Sequence, residues 1–294
     1  MPANEPTSLP PLITRDFMLL VAAHFLQALG FSSMLLLPLY VDWLGADRAE
    51  IGLIMASAAI GGLVCRPLVG WGLDAWGRKK TLVVGTLLLV AGMGPLIYVS
   101  RVLVGVGTGT LFTGYFTFAA DLIPDARRTE GLALFGVSGL VPLLINPFVG
   151  ELNLRPADLP LVYPVLAGLV FVSLLFLWPI AEAKRDGAAQ QIQLGAVVRA
   201  LKARSLWSVW LATAVFASLV AVFMSFVTVT AEQRGLERPA AVWLTYALAA
   251  VCVRLFAGRL PDRVGPANLV APALALYAFA GVAVSHALTV EQFL

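Results

Sequence analysis

Residues 66–80 read Arg66-Pro-Leu-Val-Gly70-Trp-Gly-Leu-Asp74-Ala-Trp-Gly77-Arg78-Lys79-Lys80. The stretch leaves an apolar run through a short glycine-rich turn, with an acid before the turn and a cluster of bases after it. Arg66, Gly70, Asp74 and Gly77 recur as Arg254, Gly258, Asp262 and Gly265, each 188 positions further on. Four residue types held in one register over that distance mark two homologous halves, because solenoid repeats have far shorter periods.

The rest of the chain says what those halves are made of. It has 294 residues, 60% hydrophobic and 13% charged, with mean hydropathy +0.88. That is too apolar for a soluble domain. Apolar runs of about 20 residues recur, each long enough to cross a bilayer as a helix. Spans are expected at 16–40, 51–73, 81–98, 101–123, 130–151, 160–180, 206–229, 239–260 and 269–290. The fold class is therefore all-α, a polytopic transmembrane bundle of six helices followed by an incomplete second half of three. The expected organisation is a cytoplasmic tail at 1–14, a six-helix bundle at 15–180, a linker at 181–205 and helices seven to nine at 206–294.

The bases sort by side. Alternating the spans from a cytoplasmic N-terminus gathers Arg15, Arg78, Lys79, Lys80, Arg127, Arg128, Lys184, Arg185, Arg199, Lys202, Arg204, Arg259 and Arg263 on one face. The other face holds Arg48, Arg155, Arg234 and Arg238. An excess of Lys and Arg belongs on the cytoplasmic side, so the N-terminus and the signature loops are expected there. Within the linker, Leu194 to Leu206 has apolar residues at helical spacing between bases. It reads either as a helix lying at the interface or as a solvated connection.

Gly70-x-x-x-Asp74-x-x-Gly77-Arg78-Lys79-Lys80 resembles the signature of the major facilitator superfamily of transporters, found between its second and third membrane helices. Gly258, Asp262, Arg263 and Gly265 resemble the counterpart between helices eight and nine. Ala75 stands where the family has an arginine, and Pro266 where the second copy would carry a base. The resemblance implies a secondary transporter, similar to the drug-efflux members, in which two bundles rock about a central site. It further implies that Asp121, at the end of helix four, joins Asp74 and Arg78 in a conformational latch on the cytoplasmic face. Asp74 is then expected beside helix ends whose free amides favour an anion. The alternative is that these are boundary charges which only fix topology.

Other polar residues within the spans are candidates for coupling or substrate binding. Arg101 opens a glycine-spaced helix, where Gly105 and Gly109 allow close backbone approach. An intramembrane arginine either faces the interior with a partner or snorkels to the headgroups. The family's fourth helix has a similar Arg-x-x-x-Gly pattern linked to proton coupling. His24 and Gln27, three residues apart, share one helix face. His24 reads as a neutral ring bonded to a neighbouring helix, or else as a protonatable cavity residue. In helix five, Asn146-Pro147-Phe-Val-Gly150 is similar to the motif that marks antiporters, with Asn146 replacing the usual glycine; a proline-kinked packing helix is the rival reading. Arg66 and Arg254, matched across the repeat, suit a symmetric structural role. Cys65 and Cys252 match no metal-ligand spacing and read as buried small hydrophobes.

No nucleophile turn, His-Glu-x-x-His helix or phosphate-binding loop is present in the sequence, which argues against an enzyme and against ATP-driven pumping. No cofactor and no metal are expected. The expected partners are a small-molecule substrate, protons and the lipid bilayer, with no nucleic acid; the oligomeric state stays open. The resemblance implies the bacterial inner membrane. Only residues 81–100 separate Lys80 from Arg101, so a deletion near 92–100 is expected relative to the family. The chain is also expected to be cut before a tenth helix begun at Glu291. A truncated, transport-incompetent or regulatory membrane protein is therefore the alternative function.

Overall fold

The computed structural model describes residues 10–32, 37–94, 97–151, 156–182, 199, 202–233 and 241–286. The regular elements among them are helices. They are α1 (Arg15–Ser32), α2 (Leu37–Trp43), α3 (Arg48–Val64), α4 (Arg66–Ala75), α5 (Arg78–Gly92), α6 (Ile97–Leu122), α7 (Arg128–Glu151) and α8 (Leu159–Leu177), then α9 (Trp207–Gln233), α10 (Ala241–Ala257), α11 (Leu260–Val264) and α12 (Pro266–His286). Short 3₁₀ turns at Asp125–Arg127, Pro156–Asp158 and Arg204–Leu206 lead into α7, α8 and α9. The chain divides into two compact units, Met1–Pro142 with Asn153–Ile192, and Leu143–Leu152 with Gln193–Leu294.

In the first unit α6 is the central post, packed against α3 on one side and α5 on the other. Glycine makes both contacts possible. A Cβ built at Gly105 would overlap the carbonyl oxygen of Ala58 on α3, and one at Gly109 would stand 3.4 Å from Gly62. On the opposite side, a Cβ at Gly107 would come within 2.7 Å of the Leu89 amide nitrogen on α5. Backbones approach this closely only where no side chain intervenes. The core then fills with large side chains: Phe17 and Leu20 from α1, Leu82 and Leu89 from α5, Leu111, Tyr115 and Phe118 from α6, Phe135 from α7 and Val170 from α8.

Three helix limits differ from the sequence expectation. The second span is bent by 42° between α3 and α4. The Cys65 amide still bonds back to Gly61, but Pro67 has no amide hydrogen, so the ladder breaks there. The third span ends at Gly92 and not near 98. The Met93 and Gly94 amides turn back to Val90 and Ala91, and the Ser100 hydroxyl donates to the Gly94 carbonyl at 2.9 Å. The Gly92-Met93-Gly94 breaker thus prevails over the length rule, and Arg101 lies a full turn inside α6. In the ninth span, α12 begins at Pro266, directly after the second glycine turn.

Among the described residues, four helices are each long and apolar enough to cross a membrane: Tyr98–Leu122, Pro160–Leu177, Arg204–Phe223 and Ala267–His286. The bent pair α3 and α4 makes a fifth if taken as one span. This is fewer than the nine spans expected, partly because α5 has 15 residues and α10 has 17. In the second unit, Phe223 on α9 gathers Trp243 and Tyr246 of α10 and Tyr277 of α12, with ring centroids 5.5–6.5 Å apart. Many large apolar side chains point outward, including Leu63, Val64, Trp178, Phe256 and Phe279. A monomeric soluble protein does not carry so much exposed apolar surface; a protein solvated by lipid does.

Candidate functional site: the signature turn

The turn between α4 and α5 is built on Gly77, whose φ of +95° is closed to most L residues. This geometry ends one helix and begins the next without a loop. It places Asp74 in the last turn of α4 and Arg78 at the first position of α5. The Arg78 side chain is buried and makes three bonds: Nε donates to Asp121 Oδ2 at 2.9 Å, and Nη1 donates to Asp74 Oδ1 at 3.1 Å and to the Leu73 carbonyl at 2.6 Å. Asp121 sits in the last turn of α6. One planar guanidinium therefore ties three helix ends together, a geometry that a point-charge ammonium supplies poorly.

The electrostatics explain why the three residues need each other. Both acids stand at helix C-termini, where the macrodipole disfavours an anion, and Arg78 stands at an N-terminus, which disfavours a cation. Each charge alone is misplaced, and the one guanidinium offsets part of the charge of the two acids. The carboxylate that caps the first turn of α5 belongs to Glu182, whose Oε1 accepts the Lys79 amide at 3.2 Å. The Lys79 ammonium in turn donates to the carbonyls of Trp178 and Ile180 at 2.7 and 2.9 Å, just past the end of α8. Lys80 is exposed, and Gly70 lies on α4 with open space where a Cβ would go. Asp74, Arg78, Asp121 and Glu182 line one cavity of about 450 Å³, with Trp76 and Phe118 among its walls. Sequence reasoning missed Glu182, which lies 103 positions from Lys79. Its one visible signal is its place directly after the last apolar run of the first half.

The second copy repeats the glycine turn but has no basic residue directly after it. Gly265 has φ +90°, matching Gly77. Pro266 begins α12 where Arg78 begins α5, so no guanidinium is available there. Gly258 lies in the turn after α10, Arg263 is exposed, and the Asp262 side chain is outside the described residues. The Asn268 side chain instead donates to the Val264 carbonyl at 2.9 Å.

The remaining candidates lie apart from this turn. His24 is buried on α1, with Nδ1 2.7 Å from the Ser138 hydroxyl oxygen. That hydroxyl also donates to the Phe135 carbonyl at 2.6 Å, a pairing that suits an Nδ1–H on the ring. The ring stacks on Phe135 at 4.7 Å and faces Tyr115 and Phe116. A Cβ at Gly139 would reach 3.0 Å from its Cε1. Gln27 is buried one turn further along α1. Arg101 is buried within α6, with Nη2 3.8 Å from the Met55 sulfur. This is an interior position and not a snorkelling one. α7 continues through 146–150, but the side chains of Asn146 and Pro147, and the surroundings of Gly150, are outside the described residues. The linker helix expected at 194–206 falls largely outside them as well. Both cysteines are free; Cys65 is buried as expected, whereas Cys252 is exposed. Arg66 is exposed at the α3–α4 bend, and Arg254 is part-buried in the last turn of α10. An open groove of about 580 Å³ runs along α1, α7 and α8 and is lined almost wholly by apolar side chains, Phe17, Phe25, Val137 and Phe176 among them.

A bundle of apolar helices with an ion-paired glycine turn at a helix boundary defines a class, that of polytopic helical membrane proteins. The sequence profile described as Major Facilitator Superfamily matches residues 19–293, and the chain belongs to that family, a family of transporters and not of enzymes. It is similar to Multidrug resistance protein 1 of Bacillus subtilis, at 24% identity over 188 residues, covering 60% of this chain and 47% of that protein. It is also similar to the Quinolone resistance protein NorA of Staphylococcus aureus, at 24% over 135 residues, covering 43% and 35%. The chain thus spans less than half the length of these curated relatives. The crystal structure of the human organic anion transporter MFSD10 shares the fold with TM-score 0.74 at 18% identity, covering 97% of this chain and 81% of that one.

Proposed function

We propose that this chain acts as a secondary active transporter of a small solute, working by alternating access and coupled to proton-driven efflux from the cytoplasm of a bacterial cell. The observation that carries the reading is the Arg78 junction, a buried cation on which three helix ends depend. Such a junction holds one arrangement of the helices and releases it when its charges part, as a switch between two conformations requires. In this reading Asp74, Arg78 and Asp121 form the latch, Gly77 makes the turn that presents it, and Gly70 belongs to the same signature on α4. The second copy at Gly258, Asp262, Arg263 and Gly265 keeps the matching turn without the latch. Arg101 serves proton coupling from within α6, and His24 and Gln27, buried on α1, serve coupling or substrate binding. The relatives' names support efflux, and the apolar groove along α1 supports an apolar or weakly cationic solute.

The test is transport in proteoliposomes under an imposed pH gradient, with ethidium as the fluorescent probe solute. Gradient-dependent efflux is expected from the unaltered chain. Arg78→Ala, at equal abundance in the bilayer, is expected to reduce it at least severalfold, since losing about 1–3 kcal/mol shifts a two-state balance by that much or more. Undiminished efflux by Arg78→Ala would remove the latch. Absence of gradient-driven flux in the unaltered chain would remove the transport reading.

A further inference from the structure

The contact between Lys79 and Glu182 reaches beyond the signature motif, joining its turn to the stretch that follows α8. Its parts are reciprocal. The Glu182 carboxylate accepts the Lys79 amide in the first turn of α5, where free N–H groups need an acceptor. The Lys79 ammonium donates to the Trp178 and Ile180 carbonyls, where the end of α8 needs a donor. The same ammonium stands 6.0 Å from the Trp178 ring centroid. One residue therefore serves both helix ends, and each end receives the charge its dipole favours. The turn also leaves space for this contact: a Cβ at Gly77 would run into the Glu182 carboxylate.

We infer that Glu182 is a positioning residue for the Arg78 junction, tethering the first turn of α5 to the end of α8 so that the guanidinium meets Asp74 and Asp121. Arg78 and Lys79 are consecutive in the first turn of α5, so the orientation of that turn sets where the Arg78 fork points. Gly77, with its positive φ, exerts little restraint from the other side. The carboxylate supplies that restraint, and it opens onto the cavity that Asp74, Arg78 and Asp121 also line. Glu182 is also the last described residue before the stretch that leads to α9. The tether thus gives a pull on that stretch a direct path to the latch. Only this consequence for transport rests on the proposed function; the tether itself does not.

The full chain in lipid nanodiscs allows a direct test. Amide hydrogen exchange reports the cap at Lys79, and the Nε–H resonances of Arg78 and Arg127 report their carboxylate bonds. Arg127 donates through Nε to Glu130 at 2.9 Å and serves as the internal control. Glu182→Ala is expected to speed exchange of the Lys79 amide roughly fivefold, the ordinary effect of losing a helix cap. It is also expected to shift the Arg78 Nε–H resonance and leave that of Arg127 in place. Faster exchange at Lys79 with an unmoved Arg78 resonance would make Glu182 a helix cap only and overturn the positioning role. An unchanged Lys79 amide would overturn the tether. Should Glu182→Ala disturb Arg127 too, Glu182→Gln decides by the same criteria, with exchange raised about twofold because the neutral amide still accepts. Transport by Arg78→Ala tests the latch separately, so either idea can fail while the other stands.

Discussion

Arg78 shows how one residue can be both costly and indispensable. Its side chain is 7% exposed, while Asp74 and Asp121 keep 57% and 33% of their side-chain surface. A buried cation with half-solvated partners depends on them more than they depend on it. Removing Arg78 leaves two acids at helix C-termini, where water screens part of their cost. Arg78→Ala should therefore lower the stability of the folded chain by about 1–3 kcal/mol, towards the lower end of what breaking a buried pair costs. Arg78→Lys should recover less than half of that loss, because an ammonium cannot serve two carboxylates and the Leu73 carbonyl with one planar group. Adding Asp121→Asn to Arg78→Ala should restore part of the stability by relieving the unpaired acid. Thermal unfolding in detergent micelles reads all three, and equal stabilities for the alanine and lysine variants would contradict this account of the fork.

The helices were legible in the sequence wherever a chemical signal marked their ends, and less so where length alone was the guide. The turn at Gly77 and the break at Gly92-Met93-Gly94 are both written in glycine. In the second, the glycine signal competes with the length rule, because α5, at 15 residues, is shorter than a membrane span is expected to be. The bend at Pro67 leaves no length signal either, because it falls inside a run whose hydropathy is unbroken. Asp121 came to Arg78 through resemblance, since a separation of 43 positions carries no periodic signal. Glu182 had neither resemblance nor period to announce it. The glycines of α6 were readable as a packing device, and the structure supplies their partners. Gly105→Ala should therefore destabilise the first unit by at least 2 kcal/mol, since the new methyl group meets the Ala58 carbonyl and the helices must part. Gly168→Ala on α8 is the matching control. Its Cβ would meet nothing within 4 Å, so it should stabilise the helix by roughly 0.5–1 kcal/mol. Melting temperatures moving in opposite directions would bear out the assignment of α6 as the central post; a harmless Gly105→Ala would refute it.

At the scale of the whole molecule, the exposed apolar surface identifies lipid as the solvent but does not orient the chain within it. Orientation comes from charge. The signature turn concentrates Arg78, Lys79 and Lys80 at one helix boundary, and Arg127 and Arg128 lead into α7. Moving such clusters across a bilayer is disfavoured during insertion, so the side that carries them is expected to be cytoplasmic. The structure adds a reason why this face should also be rigid: Arg78 and Lys79 are engaged with helix ends, leaving Lys80 exposed. Position 79 and position 237, the latter outside the described residues, should then lie on opposite sides. The measurement requires a chain without reactive thiols, so Cys65 and Cys252 are first replaced by alanine; both are free, and Cys252 is exposed. Single cysteines are then introduced as Lys80→Cys and Glu237→Cys, using position 80 because Lys79 is bonded to α8. In intact cells an impermeant maleimide should label position 237 and spare position 80, and in inverted vesicles the pattern should reverse. Labelling of both from one side would mean that the number of crossings between them is even. In that case the basic clusters do not set the topology, and the 188-residue repeat does not place its two glycine turns on a common face.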